Sequence, residues 1–565
     1  MPRPTRILYS LVLIFALALP GSIRAQDAAP RVKITLQSAN QVLADLKLLS
    51  DLTTRTEQKQ WQNIKDIIET FLFGIDRKKP IGFSVIFNGA EEELGFAIPI
   101  SDFKEFVDDN LGGFGIDVRK FAAGRYRLID NKKTIAYMRY QKRYATIEEN
   151  RARINAVFSA VKAQAALAAK KHSLSVTIKN KAGGVAARRK SFGLIRKNLM
   201  AAVKIRKNET AEELALRKDV LDFQLGEAER FVSESESLAM GFRLDHKTKQ
   251  ATLDIDLAAL PDTELDKSIR GLGVTPSHFA SVPRHKASIL SLRVNHPLDT
   301  FRRASLQLVL AATQKAAQAE ISRTPSVTDA QKAASTKALN SLVAVVKTTL
   351  AKGLLDGFVQ VRPAEGGTNV LVAGIRTDQG KPIRDALAAL PKSTVPTDVD
   401  LDTQEISGVS IHVVTVPAKL KGDFAAIFGD EKTLLIGTSD KAAWCAAGPG
   451  ALEALKAAIT AQAKPAPNPA PNPAPDKDKA KASPLVVDLA ITVGPWIKAL
   501  HRRMGTEGDV EDRKLAIKAF AQGQDTVTLQ LRREGNRVVG HTTLGTGILR
   551  FLGKKMAQFS KENFE

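Results

Sequence analysis

The chain has 565 residues, 44% apolar and 25% charged, with a formal net charge of +23 and one cysteine. That length and balance suit a globular protein of two to four domains and exclude a disordered, collagen-like or disulfide-stapled chain. Cys445 cannot form an intrachain disulfide, and beside Trp444 it reads as a small core residue rather than a catalytic thiol.

The first elements read as a secretory leader. Arg3 and Arg6 precede the apolar run Ile7 to Leu19, Pro20-Gly21 breaks it, and Ala25 offers a cleavage point before Gln26. Residues 1–25 are therefore expected to be a signal peptide that sends the protein to the periplasm, cell surface or medium. An uncleaved anchor is the alternative. A lipoprotein anchor is excluded because no cysteine follows the run, and no later apolar run is long enough to span a bilayer.

The next residues, 26–300, read as a first α+β domain. A helical lead-in covers Ser38 to Phe73. "IGFSVIFNGAEEELGFAIPI" is a hairpin turning at Asn88-Gly89, and "SDFKEFVDDN" a helix capped by Ser101 or Asp102. Strand "RYRLID", hairpin "KTIAYMRYQKRYATIE" and an alanine-rich helix from Glu149 to Lys170 follow. Then come strand "HSLSVTIKN", helix from Val185 to Ser233 broken near Asn208, and hairpin "LAMGFRLDHKTKQATLDIDL". A short helix from Thr263 to Ile269 and strand "SILSLRVN" close the series.

Residues 301–565 repeat the order after helices from Asp299 to Leu354. The elements are hairpin "DGFVQVRPAEGGTNVLVAGI", helix "DQGKPIRDALAALP", strand "GVSIHVVTV", hairpin "FAAIFGDEKTLLIGTS" and helix "DKAAWCAAGPGALEALKAAI". Strand "PLVVDLAI", helices from Trp496 to Ala521, hairpin "TVTLQLRREGNRVVGHTTL" and helix "GILRFLGKKMAQF" complete it. The expected fold is α+β: two topologically similar domains, each an antiparallel sheet of hairpins packed with helices, joined by long helical connections. The Pro/Ala-rich stretch 464–484 falls inside the second series and reads as a disordered surface loop. Residues 485–565 would then dock back into the second domain; a separate C-terminal domain is the alternative.

The charge is local. From Arg119 to Lys207 there are 24 Lys/Arg against Asp130, Glu148 and Glu149, so this segment alone carries +21. Every tyrosine after the leader lies here too, as Tyr126, Tyr137, Tyr140 and Tyr144, interleaved with Arg125, Arg127, Arg139, Lys142 and Arg143. Aromatic rings beside cations can stack on sugars or bases while the charges hold phosphates or carboxylates. These nine residues are the candidate anionic-ligand site. The structural alternative is a hairpin whose tyrosines pack against neighbours.

The segments "FSVIFNGAEEELGFAIPISDFKEFVDD", "ETAEELALRKDVLDFQLGEAERF", "LAMGFRLDHKTKQATLDIDL", "FAAIFGDEKTLLIGTS" and "VTLQLRREGNRVVGHTTLGTGILRFLG" resemble a family of exported bacterial proteins of unknown function. The resemblance implies a large exported α+β protein with duplicated hairpin–helix architecture. It brings no activity or functional residues.

The eight histidines lie in no recognised catalytic or metal-binding motif. There is no HExxH, no GxSxG elbow and no Walker loop. "GLGVTP" at Gly271 has Pro276 in place of the third glycine of a dinucleotide fingerprint. "DVDLDT" from Asp398 has Thr403 and Val409 in place of the glycine and glutamate of a calcium loop. His278 and His285 could approach each other, and Asp254 with Asp256 could pair as carboxylates or simply face solvent. No catalytic residue, metal ligand or cofactor is assigned. The last helix could lie on an anionic membrane, or face the core. The reading is an exported, non-enzymatic binding or envelope-associated protein whose partner is an anionic envelope polymer or membrane surface, with nucleic acid not favoured. A hydrolase of unrecognised type with a site between the domains, and a carrier or folding factor for apolar cargo, are the alternatives.

Overall fold

A computed structural model describes residues 31–88, 91–149, 151, 172–180, 184–207, 209–325, 327–417, 421–429, 431–463, 485–499 and 507–564. The leader, most of the expected Glu149–Lys170 helix, the Asn88-Gly89 turn and the Pro/Ala-rich stretch lie outside them, wholly or in part. Among the described residues there are twenty strands. The first ten are β1 (Arg31–Leu36), β2 (Ile81–Asn88), β3 (Glu91–Pro99), β4 (Asp117–Ala122), β5 (Arg125–Asp130), β6 (Lys133–Gln141), β7 (Tyr144–Glu148), β8 (Leu174–Lys179), β9 (Ser235–Asp245) and β10 (Gln250–Ala259). The others are β11 (Leu290–Pro297), β12 (Leu354–Pro363), β13 (Asn369–Arg376), β14 (Val399–Ile406), β15 (Val409–Thr415), β16 (Thr433–Thr438), β17 (Ala442–Ala447), β18 (Leu485–Thr492), β19 (Thr526–Glu534) and β20 (Arg537–Leu544).

All twenty form one continuous antiparallel sheet. Its middle is the β10–β20 ladder. Outward from β10 the order is β9, β8, β1, β2, β3, β7, β6, β5, β4. Outward from β20 it is β19, β18, β11, β12, β13, β17, β16, β15, β14. The second series is the first with ten added at every position.

One face is apolar along its length and carries helices. Met138, Ile147, Phe96 and Phe83 follow one another across the ladders and pack with Leu43, Ile68, Phe106 and Leu111. Farther along, Leu434, Ile436 and Ala443 pack with Val345, Ile383 and Leu387 from the helices Asp329–Ala351 and Lys381–Ala389. The opposite face is covered in the second half, where Phe358, Ile411 and Trp444 meet Ala454, Leu455, Ala458 and Ile459 of the helix Ala451–Ala463. In the middle that opposite face is polar: Asp254, His541, Gln530 and Asp488 stand in one cross-strand row.

Several elements differ from the sequence expectation. "DKAAWCAA" was expected to be helical because alanine favours helices, but Ala442–Ala447 is strand β17. Trp444 lies opposite Gly374 on one side and Gly437 on the other. A side chain at Gly374 would meet the rings of Phe279 and Phe358 at 2.8 Å, so tertiary packing overrides local propensity. "FAAIF" was expected to be a strand, but Lys421–Phe428 is a helix, with Phe424 and Phe428 one turn apart and their rings 4.7 Å from each other. "SILSLRVN", expected to close the first series, pairs as β11 with β12 and β18. Strands β1, β4 and β14 were not anticipated, being short or flanked by charge. The last helix, Thr546–Phe564, faces inward: Leu549 and Ala557 are fully buried, and Lys554 Nζ pairs with Glu57 at 2.8 Å.

Cys445 follows Trp444 on β17, and burial pushes its thiol up to about 11. At pH 8 almost none of it is thiolate, the reactive form. A maleimide reagent is expected to label Cys445 at least tenfold more slowly in the native protein than in denaturant, read by intact mass. Equal rates would show that β17 opens readily.

Candidate functional site

The first part of the basic segment, Arg119 to Glu148, makes up most of the β4–β7 end of the sheet; the described remainder includes β8 and the helix Val185–Ala202. Ladder register fixes which side chains share a face. Arg119 lies opposite Arg127, Arg127 opposite Tyr137, and Arg125 opposite Arg139, all on the polar face. Phe121, also on β4, supplies the centre of the group. The guanidinium of Arg127 sits 5.4 Å from its ring centroid and that of Arg151 5.0 Å, while Tyr137 meets it edge-on at 6.2 Å. Each such cation–ring contact contributes about 0.5–1 kcal/mol at an exposed site. Its main effect is to hold planar donor groups in place. Asp117 partners Arg119 at 3.2 Å, and the buried Glu148 lies opposite Tyr137.

The remaining sequence-derived candidates lie elsewhere. Tyr126 and Tyr140 are on the apolar face, with ring centroids 5.1 and 4.3 Å from Phe103, as part of the core. Tyr144 is buried and its hydroxyl donates to the Pro80 carbonyl at 3.4 Å. Lys142 and Arg143 form the two-residue β6–β7 turn, with φ of 51° and 61°. Both are exposed beyond the end of the cluster. The structure thus brings together Arg125, Arg127, Tyr137 and Arg139, and adds Phe121, Arg119 and Arg151. The signal for two of the additions was the sequence "DVRKFA", whose alternation places Arg119 and Phe121 on one side once it is read as a strand; no local signal pointed to Arg151.

A second constellation lies at the middle of the sheet. His172 Nε2 is 2.9 Å from Asp254 Oδ2, and His541 Nδ1 is 2.7 Å from Asp254 Oδ1. Burial alone would raise the Asp254 pKa, but the hydrogen bonds from His541 and His172 outweigh it and hold the carboxyl below its usual range. Asp256 instead pairs with Arg537 at 3.0 Å. The two carboxylates therefore have separate partners, and neither is arranged to share a proton with the other. Thr543 Oγ1 lies 3.4 Å from His541 Nε2, longer than a nucleophile–base hydrogen bond. The row ties β10 to β20, where the two series meet.

Other motifs have structural partners. Asp402 of "DVDLDT" pairs with Arg384 at 2.6 Å, and its backbone N–H donates to Nδ1 of the fully buried His412, whose pKa burial lowers. Asp356, fully buried, accepts from the Ser277 hydroxyl and the His278 backbone, both at 2.6 Å. Among the described residues no group of three or more His, Cys, Asp or Glu could hold a metal ion, and no helix is long and apolar enough to cross a membrane. The chain matches no family model, no curated protein and no solved structure.

Proposed function

We propose that this is an exported, non-enzymatic binding protein that contacts an anionic polymer of the cell envelope through the arginine–aromatic face of β4–β7. The observation that carries this reading is the stacking of Arg127 and Arg151 on one ring, Phe121. Neighbouring guanidinium groups repel one another, so a cluster of arginines fixed in place is best compensated by an anionic ligand. Planar donors also match carboxylate, sulfate and phosphate oxygens bidentately. The offset of ten in strand numbering supports a further part of the proposal, that the chain arose by duplication of a ten-strand unit. Only the first copy carries the basic face, so the copies would have diverged in role.

The test uses residues 26–565 and heparin as the probe polymer, with neutral dextran as control, across a salt series. The expected result is binding at low salt that falls steeply with added salt as counterions are released. Arg127→Ala with Arg139→Ala is expected to weaken it at least tenfold and to flatten the salt slope. Phe121→Leu should weaken it less, and Lys142→Ala least. Binding to heparin that is indifferent to the double substitution would overturn the assignment of this face. No binding at low salt would overturn the polyanion reading altogether.

A further inference from the structure

A cavity of about 240 Å³ lies in the second half of the sheet, on the face opposite the apolar helical layer. Helix Ala451–Ala463 forms its roof, β12 and β13 its floor, and residues 282–285 one side. Its size follows from the sequence. Where the helix crosses β12 and β13, buried Ala454 and Ala458 pack on Phe358, Val370 and Val372, and their short side chains together with exposed Ala457 leave space beside that contact.

The polar groups of the wall are His285, Gln360, Arg284 and Arg362, and they are unequal; exposed His285 accepts the Ala287 backbone N–H at Nδ1, at 3.3 Å. Gln360 is nearly buried, and its amide is fixed by donating to the Pro283 carbonyl at 2.9 Å. Arg284 is committed to the buried Asp488. Arg362, two residues along β12 from Gln360 and on the same side of the strand, has no ion-pair partner among the described residues. A half-open apolar pocket with one uncommitted guanidinium in its wall complements a ligand with one negative charge and a short apolar body. A carboxylate matches a single guanidinium through two parallel hydrogen bonds. The volume is below the 300 Å³ or so at which pockets for drug-sized ligands begin, which sets an upper limit on the tail.

We infer that this cavity binds a small amphiphilic monocarboxylate, with the tail among Phe358, Val370, Val372 and the helix alanines and the carboxylate on Arg362. The site is independent of the arginine–aromatic face, which belongs to the other half of the sheet. It gives the second half a ligand of a different class from the polymer proposed for the first.

The probe is sodium octanoate, below its micellar concentration, titrated into residues 26–565 by calorimetry with a parallel melting curve. Octanol and octylammonium are the comparison ligands. Octanoate is expected to bind and raise the melting temperature, octanol to bind at least tenfold more weakly, and octylammonium not at all. Ala457 is exposed on the helix, so Ala457→Leu should narrow the cavity without unfolding the protein and cut octanoate affinity at least tenfold. Arg362→Leu should abolish the preference of octanoate over octanol. The Arg127→Ala, Arg139→Ala protein must bind octanoate like the unsubstituted chain, so this inference and the polymer reading fail separately. Equal binding of octanoate and octylammonium, or octanoate binding unchanged in both cavity variants, overturns the inference. So does the absence of any octanoate binding to the intact protein.

Discussion

Replacing Trp444 by alanine is expected to destabilise the protein by about 3–5 kcal/mol, the range for truncating a buried tryptophan. Trp444 is 2% exposed and is the largest of the fully buried side chains. Its ring meets Phe279 edge-on at 5.1 Å and Phe358 at 5.9 Å, and such aromatic pairs add about 0.5–1.5 kcal/mol each beyond the area they bury. The site cannot collapse to close the gap. The backbone on either side belongs to β13 and β16, where the glycines that make room for the indole have no side chains to swing into it. The cost should therefore lie near the top of the range, and Trp444→Phe should cost less than half as much. Calorimetric melting checks this, because removing an indole would confound fluorescence. A loss under about 1 kcal/mol would mean that the core around Trp444 is not packed as described.

The second large effect is expected at the ion cluster that joins the helix Ala211–Glu234 to Thr300–Arg323. Arg230 is within 3.1 Å of Glu227 and 3.0 Å of Asp299, and Arg302 is within 2.6 and 3.3 Å of the same two carboxylates. All four side chains are less than one-fifth exposed. Arg230→Met keeps much of the apolar stem but removes the guanidinium, which lies 5.1 Å from the Phe301 ring centroid, and leaves two buried carboxylates with one cation. Breaking such a pair costs about 3–5 kcal/mol. The pH dependence separates charge from packing. Burial raises the Asp299 pKa, but the Arg302 backbone N–H and the Arg230 guanidinium outweigh it, so the net shift is downward. A depressed carboxylate pKa contributes stability above the unfolded value, about 3.9, and loses it as pH falls through the folded value. The gap between Arg230→Met and the unsubstituted protein should therefore be widest near neutrality and shrink below about pH 4. A gap that stays constant with pH would assign the loss to packing alone.

The same contrast, local pattern against distant partners, decides what could be read from the chain beforehand. Hairpins such as Ser235–Asp245 with Gln250–Ala259 were legible because alternation and a polar turn are local signals. The alternation also put Ala251, Leu253, Ile255 and Leu257 on one side and Asp254 with Asp256 on the other. The basic segment was legible as composition, but its site was not. Tyr126 and Tyr140 were grouped with their arginines by proximity in sequence, whereas the two-residue period of a strand sends them to the core and Arg125 and Arg127 to the other face. Phe121 was passed over because β4 was not recognised as a strand.

By itself the sequence determined the α+β class, the positions of most hairpins, the place of the excess charge and the absence of familiar catalytic motifs. These depend on composition and on periods of a few residues. Only the tertiary structure decided that all the described strands form one sheet and that "AAWCAA" is a strand between two glycine-bearing neighbours. It alone brought Arg151 over Phe121, placed Asp254 between His172 and His541, and left a cavity beneath three alanines. Each of those outcomes depends on residues far apart in the chain meeting across a ladder, and no local preference specifies which strand lies beside which.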